Sequence, residues 1–107
     1  MSMVRGFATR STAGTTAILA APAAGKQYII RSITVTIDTI IATGKVAIAD
    51  DTTPRFKWDA ITAGSGQPPQ LRWGPEDGPI WTAAKAVNLI TTGNCVVYVY
   101  VTAELRA

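Results

Sequence analysis

Two pairs of adjacent carboxylates, Asp50-Asp51 and Glu76-Asp77, are the residues of this chain closest to an acid–base pair. A glycosidase needs two carboxyl groups facing each other about 5–10 Å apart. Both pairs, however, sit in turn sequences, Asp50-Asp-Thr-Thr-Pro54 and Gly74-Pro-Glu-Asp-Gly-Pro79, and aspartate is favoured in turns because it hydrogen-bonds its own backbone. The turn role therefore outweighs the catalytic one. A calcium site from Asp50, Asp51 and Asp59 matches no EF-hand spacing. Histidine is absent, which removes the commonest general base, the Ser-His-Asp and Cys-His arrangements and the usual zinc sets. The single cysteine, Cys95, has no partner for an intrachain disulfide and cannot hold an iron–sulfur cluster. Its neighbours Val96 and Val97 give the thiol no cationic setting that would make it reactive. Ala24-Gly25-Lys26 has too few glycines for a phosphate loop. The expectation is a chain that is not an enzyme and uses no metal or cofactor.

The aromatic residues offer a different chemistry. Phe56, Trp58, Trp73 and Trp81 would make a sugar-stacking platform if exposed together, but each sits in an alternating or apolar context that fits core packing. If one of them is exposed it is Trp81, which follows the Gly74–Pro79 loop. Lysine plus arginine exceed the acids by 10 − 7 = 3. The basic residues are scattered, whereas nucleic-acid proteins cluster theirs, so no specific nucleic-acid partner is expected. The start Met-Ser-Met-Val-Arg-Gly-Phe lacks the apolar stretch of a signal peptide, and no apolar run approaches the ~20 residues that span a bilayer. A soluble chain made in the cytoplasm, with no membrane partner, is expected.

The elements that hold these residues are strands. Residues 16–21 form a short strand stopped by Pro22 and a turn at Ala24-Gly25-Lys26. Tyr28–Asp38 alternates strictly from Ser32, with Ile33, Val35 and Ile37 on one face and Ser32, Thr34, Thr36 and Asp38 on the other. This is the pattern of a half-buried strand. Arg31 falls on the apolar side of that register, so the strand either starts with a bulge there or enters from the rim. After a turn at Thr43-Gly44 come strands at 45–49 and 55–59, the 63–69 loop, a short strand at Leu71–Trp73 and re-entry into the core at Ile80-Trp81. Residues 82–86 fit one helical turn. Strands at 87–91 and 95–104, joined by Thr92-Gly-Asn94, complete the chain. About eight short strands with regular turn signals and no helix-length 3.6 period predict an all-β antiparallel sandwich, with two four-stranded sheets in a jelly-roll arrangement. Residues 16–107 form this single domain.

Residues 1–15 carry no acid and few apolar residues and predict an extended N-terminal arm. It is either a frayed terminus or an arm that lies on a neighbouring subunit. The last strand is apolar or aromatic on both faces, with Val97, Val99 and Val101 on one and Val96, Tyr98, Tyr100 and Thr102 on the other. An outer strand should be polar on its wet face. Either a loop of the same chain covers the tyrosines or another subunit does, since tyrosine suits a buried surface that keeps its hydroxyl satisfied.

The stretch Thr16-Ala-Ile-Leu-Ala-Ala-Pro-Ala-Ala-Gly-Lys-Gln-Tyr-Ile-Ile-Arg-Ser-Ile-Thr-Val35, then Pro79-Ile-Trp81, Ala84-Lys-Ala-Val-Asn-Leu89, Thr92-Gly-Asn94 and a valine–tyrosine strand, resembles small β-sandwich structural proteins of tailed bacteriophages. These occur as head decoration (cement) proteins, head fibres or tail components. The resemblance covers residues 16–104 through turns and strands and carries no catalytic signature. It implies a non-enzymatic virion protein, made in the host bacterial cytoplasm, that binds across capsid subunits and stabilises the shell. The partners would be the major capsid protein or other virion proteins, together with further copies of the chain, a trimer at a threefold position being one arrangement. A tail or fibre component, or a carbohydrate-binding receptor module, is the alternative. The residues assigned to protein interfaces are Val4, Arg5, Phe7 and Arg10 of the arm, Tyr98 and Tyr100 of the last strand, and Trp81.

Overall fold

The computed structural model describes residues 2–40, 44–61, 70–75, 77–92 and 95–107, with their side chains except those of 37–40, 44, 58–61 and 95. The expected turns at Thr43 and at Gly93-Asn94, the 63–69 loop, Glu76, and the side chains of Trp58, Asp59 and Cys95 lie outside the described residues. Eight strands are described: β1 (Ser2–Arg10), β2 (Gly14–Leu19), β3 (Gln27–Ile40), β4 (Gly44–Asp50), β5 (Thr53–Ile61), β6 (Leu71–Arg72), β7 (Val87–Thr92) and β8 (Cys95–Arg106). They form two four-stranded sheets, a first in the order β1-β8-β3-β6 and a second in the order β2-β7-β4-β5, with every pairing antiparallel. Every connection except the β4–β5 hairpin passes from one sheet to the other. Consecutive strands thus occupy matching positions in the two sheets, as in an antiparallel ribbon rolled over on itself, which is the jelly roll. The all-β sandwich is the fold class the alternating strands predict. Among the described residues no helix is long and apolar enough to cross a membrane.

Alternation builds the core. Val97, Val99, Val101 and Ala103 of β8 point inward and are essentially inaccessible, opposite Ile30, Ile33 and Val35 of β3. Val46 and Ile48 of β4, Leu89 and Val87 of β7, and Ile18 and Leu19 of β2 close it from the second sheet. The β3–β8 register shifts between Ile30 and Ser32. That bulge lets Arg31 leave the apolar side and reach Glu104 at 3.2 Å and the Trp73 carbonyl at 3.1 Å. Tyr28 is buried and donates its hydroxyl to the Ala20 carbonyl at 2.7 Å. Desolvation pushes its pKa above the usual 10.0.

Residues 2–10 are extended, as expected of the arm, but they are a strand of the sandwich. β1 pairs with β8 along an unbroken register from Ser2↔Leu105 to Arg10↔Val97 and buries Ala8. The helical turn expected at 82–86 is instead a tight turn, with Lys85 N–H donating to the Thr82 carbonyl at 3.2 Å and Ala84 at φ 60°. An L-residue in that left-handed region costs about 1–2 kcal/mol. Ala84→Gly should therefore raise the unfolding free energy by about 0.5–1 kcal/mol in urea titration, the relief being partly offset by the greater freedom of glycine in the unfolded chain. A fall in stability would contradict the left-handed geometry.

Candidate interaction face

The outward side chains of the first sheet form a grid fixed by the two registers. Across it, Met3 lies beside Glu104 and Arg5 beside Thr102 and then Ser32. Phe7 lies beside Tyr100 and Thr34, and Thr9 beside Tyr98 and Thr36. Arg72 of β6 extends the Arg5 row past Ser32. The Phe7 ring lies 4.8 Å from Tyr100 and 6.4 Å from Tyr98, centroid to centroid. Phe7 and Tyr100 are not covered, at 48% and 53% exposed, nor is Met3 at 56%, while Tyr98 is half-buried. The row below is held flat by the Ser32–Thr102 hydroxyl hydrogen bond at 2.6 Å. Arg5 and Arg72 flank it, exposed and without an ion-pair partner among the described residues. Glu104, by contrast, is buried beneath Arg31. Met3, Arg31, Ser32, Arg72, Trp73 and Thr102 line a shallow basin of about 230 Å³ on this same face.

Four of the residues assigned to interfaces from sequence, Arg5, Phe7, Tyr98 and Tyr100, therefore meet on one surface. The other three do not. Val4 turns inward and packs half-buried against the core. Arg10 is committed to its own corner, donating to the carbonyls of Thr12 at 3.1 Å and Ala13 at 3.0 Å and to the Thr16 hydroxyl at 2.8 Å. Trp81, assigned to an interface, is fully buried, in the core where its apolar context places it. Its backbone N–H donates to the Tyr28 carbonyl at 2.8 Å and its indole N–H to the Ala86 carbonyl at 3.2 Å. Phe56 stacks on it at 6.4 Å and the Arg55 guanidinium lies 4.8 Å from its centroid. Phe56 and Trp73, 5.8 Å apart, are half-buried against the core, so no platform of Phe56, Trp73 and Trp81 faces solvent. The neighbour Ile80, expected inward, is 44% exposed. It bridges Ile29 of β3, and strand alternation sends Trp81 in and Ile80 out. Met3 and Arg72 were the members of the face missed from sequence, and a methionine alternating with Arg5 and Phe7 is the only local signal for it.

The carboxylates behave as turn residues. Asp51 is the first residue of the β4–β5 hairpin loop, with φ 58°. Its exposed carboxylate lies 3.8 Å from Lys85. Asp50 ends β4 and is buried. Its Oδ2 accepts from the Thr82 hydroxyl at 2.7 Å, the Thr82 N–H at 3.0 Å and Arg55 at 3.3 Å, and its Oδ1 is enclosed without a partner. These groups line an open cleft of about 410 Å³. The same bonds lock the hairpin to the 82–86 turn, a structural use of both aspartates. Asp77 closes the 74–77 turn through its N–H to the Gly74 carbonyl at 3.1 Å. Among the described residues no group of three His, Cys, Asp or Glu could hold a metal.

No protein family, curated protein or solved structure matches this chain in comparison.

Proposed function

We infer that this chain is a non-enzymatic structural subunit of a bacteriophage virion, a decoration protein that docks on capsid subunits through the outer face of its first sheet. The observation that carries the docking role is the exposed Phe7–Tyr100 pair, backed by half-buried Tyr98, beside Met3, Arg5 and Arg72. Aromatic residues, methionine and arginine are the types enriched in protein interfaces, while lysine and acids are depleted there. The described side chains of this face include no lysine, and the one acid, Glu104, is buried under Arg31. The facing surface would be acidic, to meet the two arginines, and grooved to take Phe7 and Tyr100. Jelly rolls serve in capsids, though that is an analogy of fold and not of site. The assignment to a virion rests on the resemblance of the turn-and-strand order to phage structural proteins. A small rigid sandwich contacting several subunits at a seam would be released rarely even if each contact were weak.

The test is co-sedimentation with shells assembled from the major capsid protein of the same genome, with shell melting as a second readout. The wild type should bind and raise the melting temperature of the shell. Phe7→Ser with Tyr100→Ser should weaken binding by about 1,000-fold, since central aromatic anchors contribute around 2 kcal/mol or more each. The melting of the isolated domain should barely change, because both rings are half exposed. Binding should also weaken with added salt. A chain that ignores such shells, or a double variant that binds like the wild type, would remove the proposal. The same rings beside a row of hydroxyls also favour a second reading, stacking on a sugar ring in a receptor-binding role. A glycan that quenches tyrosine emission in the wild type and not in the double variant would select it.

A further inference from the structure

The four sheet edges are not treated alike. An edge strand presents unpaired N–H and C=O groups, and proteins blunt such edges by shortening, bulges, proline or charge. β6 has two residues. β2 has six, with a register shift between Ala17 and Leu19. β5 carries Pro54 and two register shifts. β1, as long as β5 at nine residues, alone combines that length with no proline and no bulge. Its one protective device is the exposed Arg5, since the Arg10 side chain is folded back on its own corner.

The geometry points to a homodimer in which β1 pairs antiparallel with β1 of a second copy about a two-fold axis at Gly6, joining the two first sheets into one of eight strands. The sequence of β1 is most fully self-complementary in that register. Two-fold antiparallel pairing sets residue i opposite a residue of the same face. Centring on Gly6 overlaps all nine residues, Ser2 opposite Arg10, Met3 opposite Thr9, Val4 opposite Ala8 and Arg5 opposite Phe7. Arg5 of each copy then lies over the exposed ring of the other, a cation–π pair made twice. Centring on Arg5 would oppose two guanidiniums, and centring on Phe7 would give up the cation–π pairs and shorten the overlap. Gly6 leaves the axis free of side chains. The edge pairing uses the backbone of β1 and leaves Tyr98 and Tyr100 outward, so it goes beyond the docking role proposed above and stands independently of it. It also places both copies' Phe7 and Tyr100 rings in one continuous surface.

Sedimentation equilibrium of the full chain, without any capsid protein, tests this. The wild type should pass from monomer to a species of twice 11.3 kDa over micromolar concentrations. Phe7→Arg sets a guanidinium against Arg5 of the second copy and should weaken the dimer at least about 30-fold, as like charges across an interface do. Phe7→Glu sets a carboxylate there and should keep the dimer. Adding Arg5→Glu to Phe7→Arg should restore it to within about threefold of the wild type. Position 7 is half exposed, so these variants leave the fold intact. A wild type that stays monomeric, or Phe7→Arg and Phe7→Glu that dissociate equally, would overturn the proposal. Phe7→Glu would also separate the two ideas, retaining the dimer while losing capsid binding.

Discussion

Trp81→Ala should lower the unfolding free energy by about 3–5 kcal/mol, the range for deleting a large aromatic from a core. For a domain of this size that is a large part of a total of about 5–15 kcal/mol, and it corresponds to a melting temperature lower by roughly 15–30 °C. The magnitude follows from position. Trp81 is the largest side chain in the core with no accessible surface. Its removal strips Phe56 of its stacking partner and Arg55 of the ring beneath its guanidinium, and leaves the Ala86 carbonyl without the indole donor. Urea titration checks the value. The same experiment separates two roles, because a surface tryptophan serving as an interface residue would lose binding and keep stability. A loss below about 1 kcal/mol, typical of surface substitutions, would contradict burial.

The difference between Trp81 as read from sequence and as found shows what local pattern carries. The strands with large side chains at every second inward position were legible. β3 and β8 are placed by their valines and isoleucines, and the bulge at Arg31 was readable because a charge stood where the register demanded an apolar residue. β1 was not legible because its pattern is inverted. Its inward residues Val4, Gly6 and Ala8 are small, while its large apolar residues, Met3 and Phe7, point out. The cause is long-range: β2 passes so close beneath that a Cβ on Gly6 would overlap the Ile18 carbonyl. Nothing within nine residues of sequence reports that approach. The Phe7–Tyr100 contact was equally hidden, since it joins the two ends of the chain through the β1–β8 register. Tyr98 and Tyr100 could be flagged from their own strand, but what stands beside them could not. The core re-entry of Trp81 was legible, but its interface assignment followed the glycines and prolines before it, which read as a surface loop, whereas Pro79–Trp81 is tied to β3 by backbone hydrogen bonds at Ile30 and Tyr28.

That tie depends on one glycine, and Gly78→Ala should cost at least about 3 kcal/mol, more than the ordinary range for overpacking. Gly78 is buried, and a Cβ built on it would overlap the Ile30 carbonyl. The obstacle is backbone, so no rotamer change can relieve it. The segment would have to retreat from β3, losing the Ile30 N–H to Pro79 carbonyl bond at 2.9 Å and the Trp81 N–H to Tyr28 carbonyl bond at 2.8 Å. Burial of Trp81 and Ile29 would go with them. The two largest predicted effects therefore share a cause, the seating of residues 78–81 on β3. Their energies should not add: with the segment already displaced, Trp81→Ala removes less. The double variant should lose at least about 1 kcal/mol less than the sum of the single losses, within the range of coupling for residues in contact. A double-mutant cycle in urea measures this directly. Full additivity, or a Gly78→Ala variant within about 0.5 kcal/mol of the wild type, would mean that the segment is not locked by this close approach.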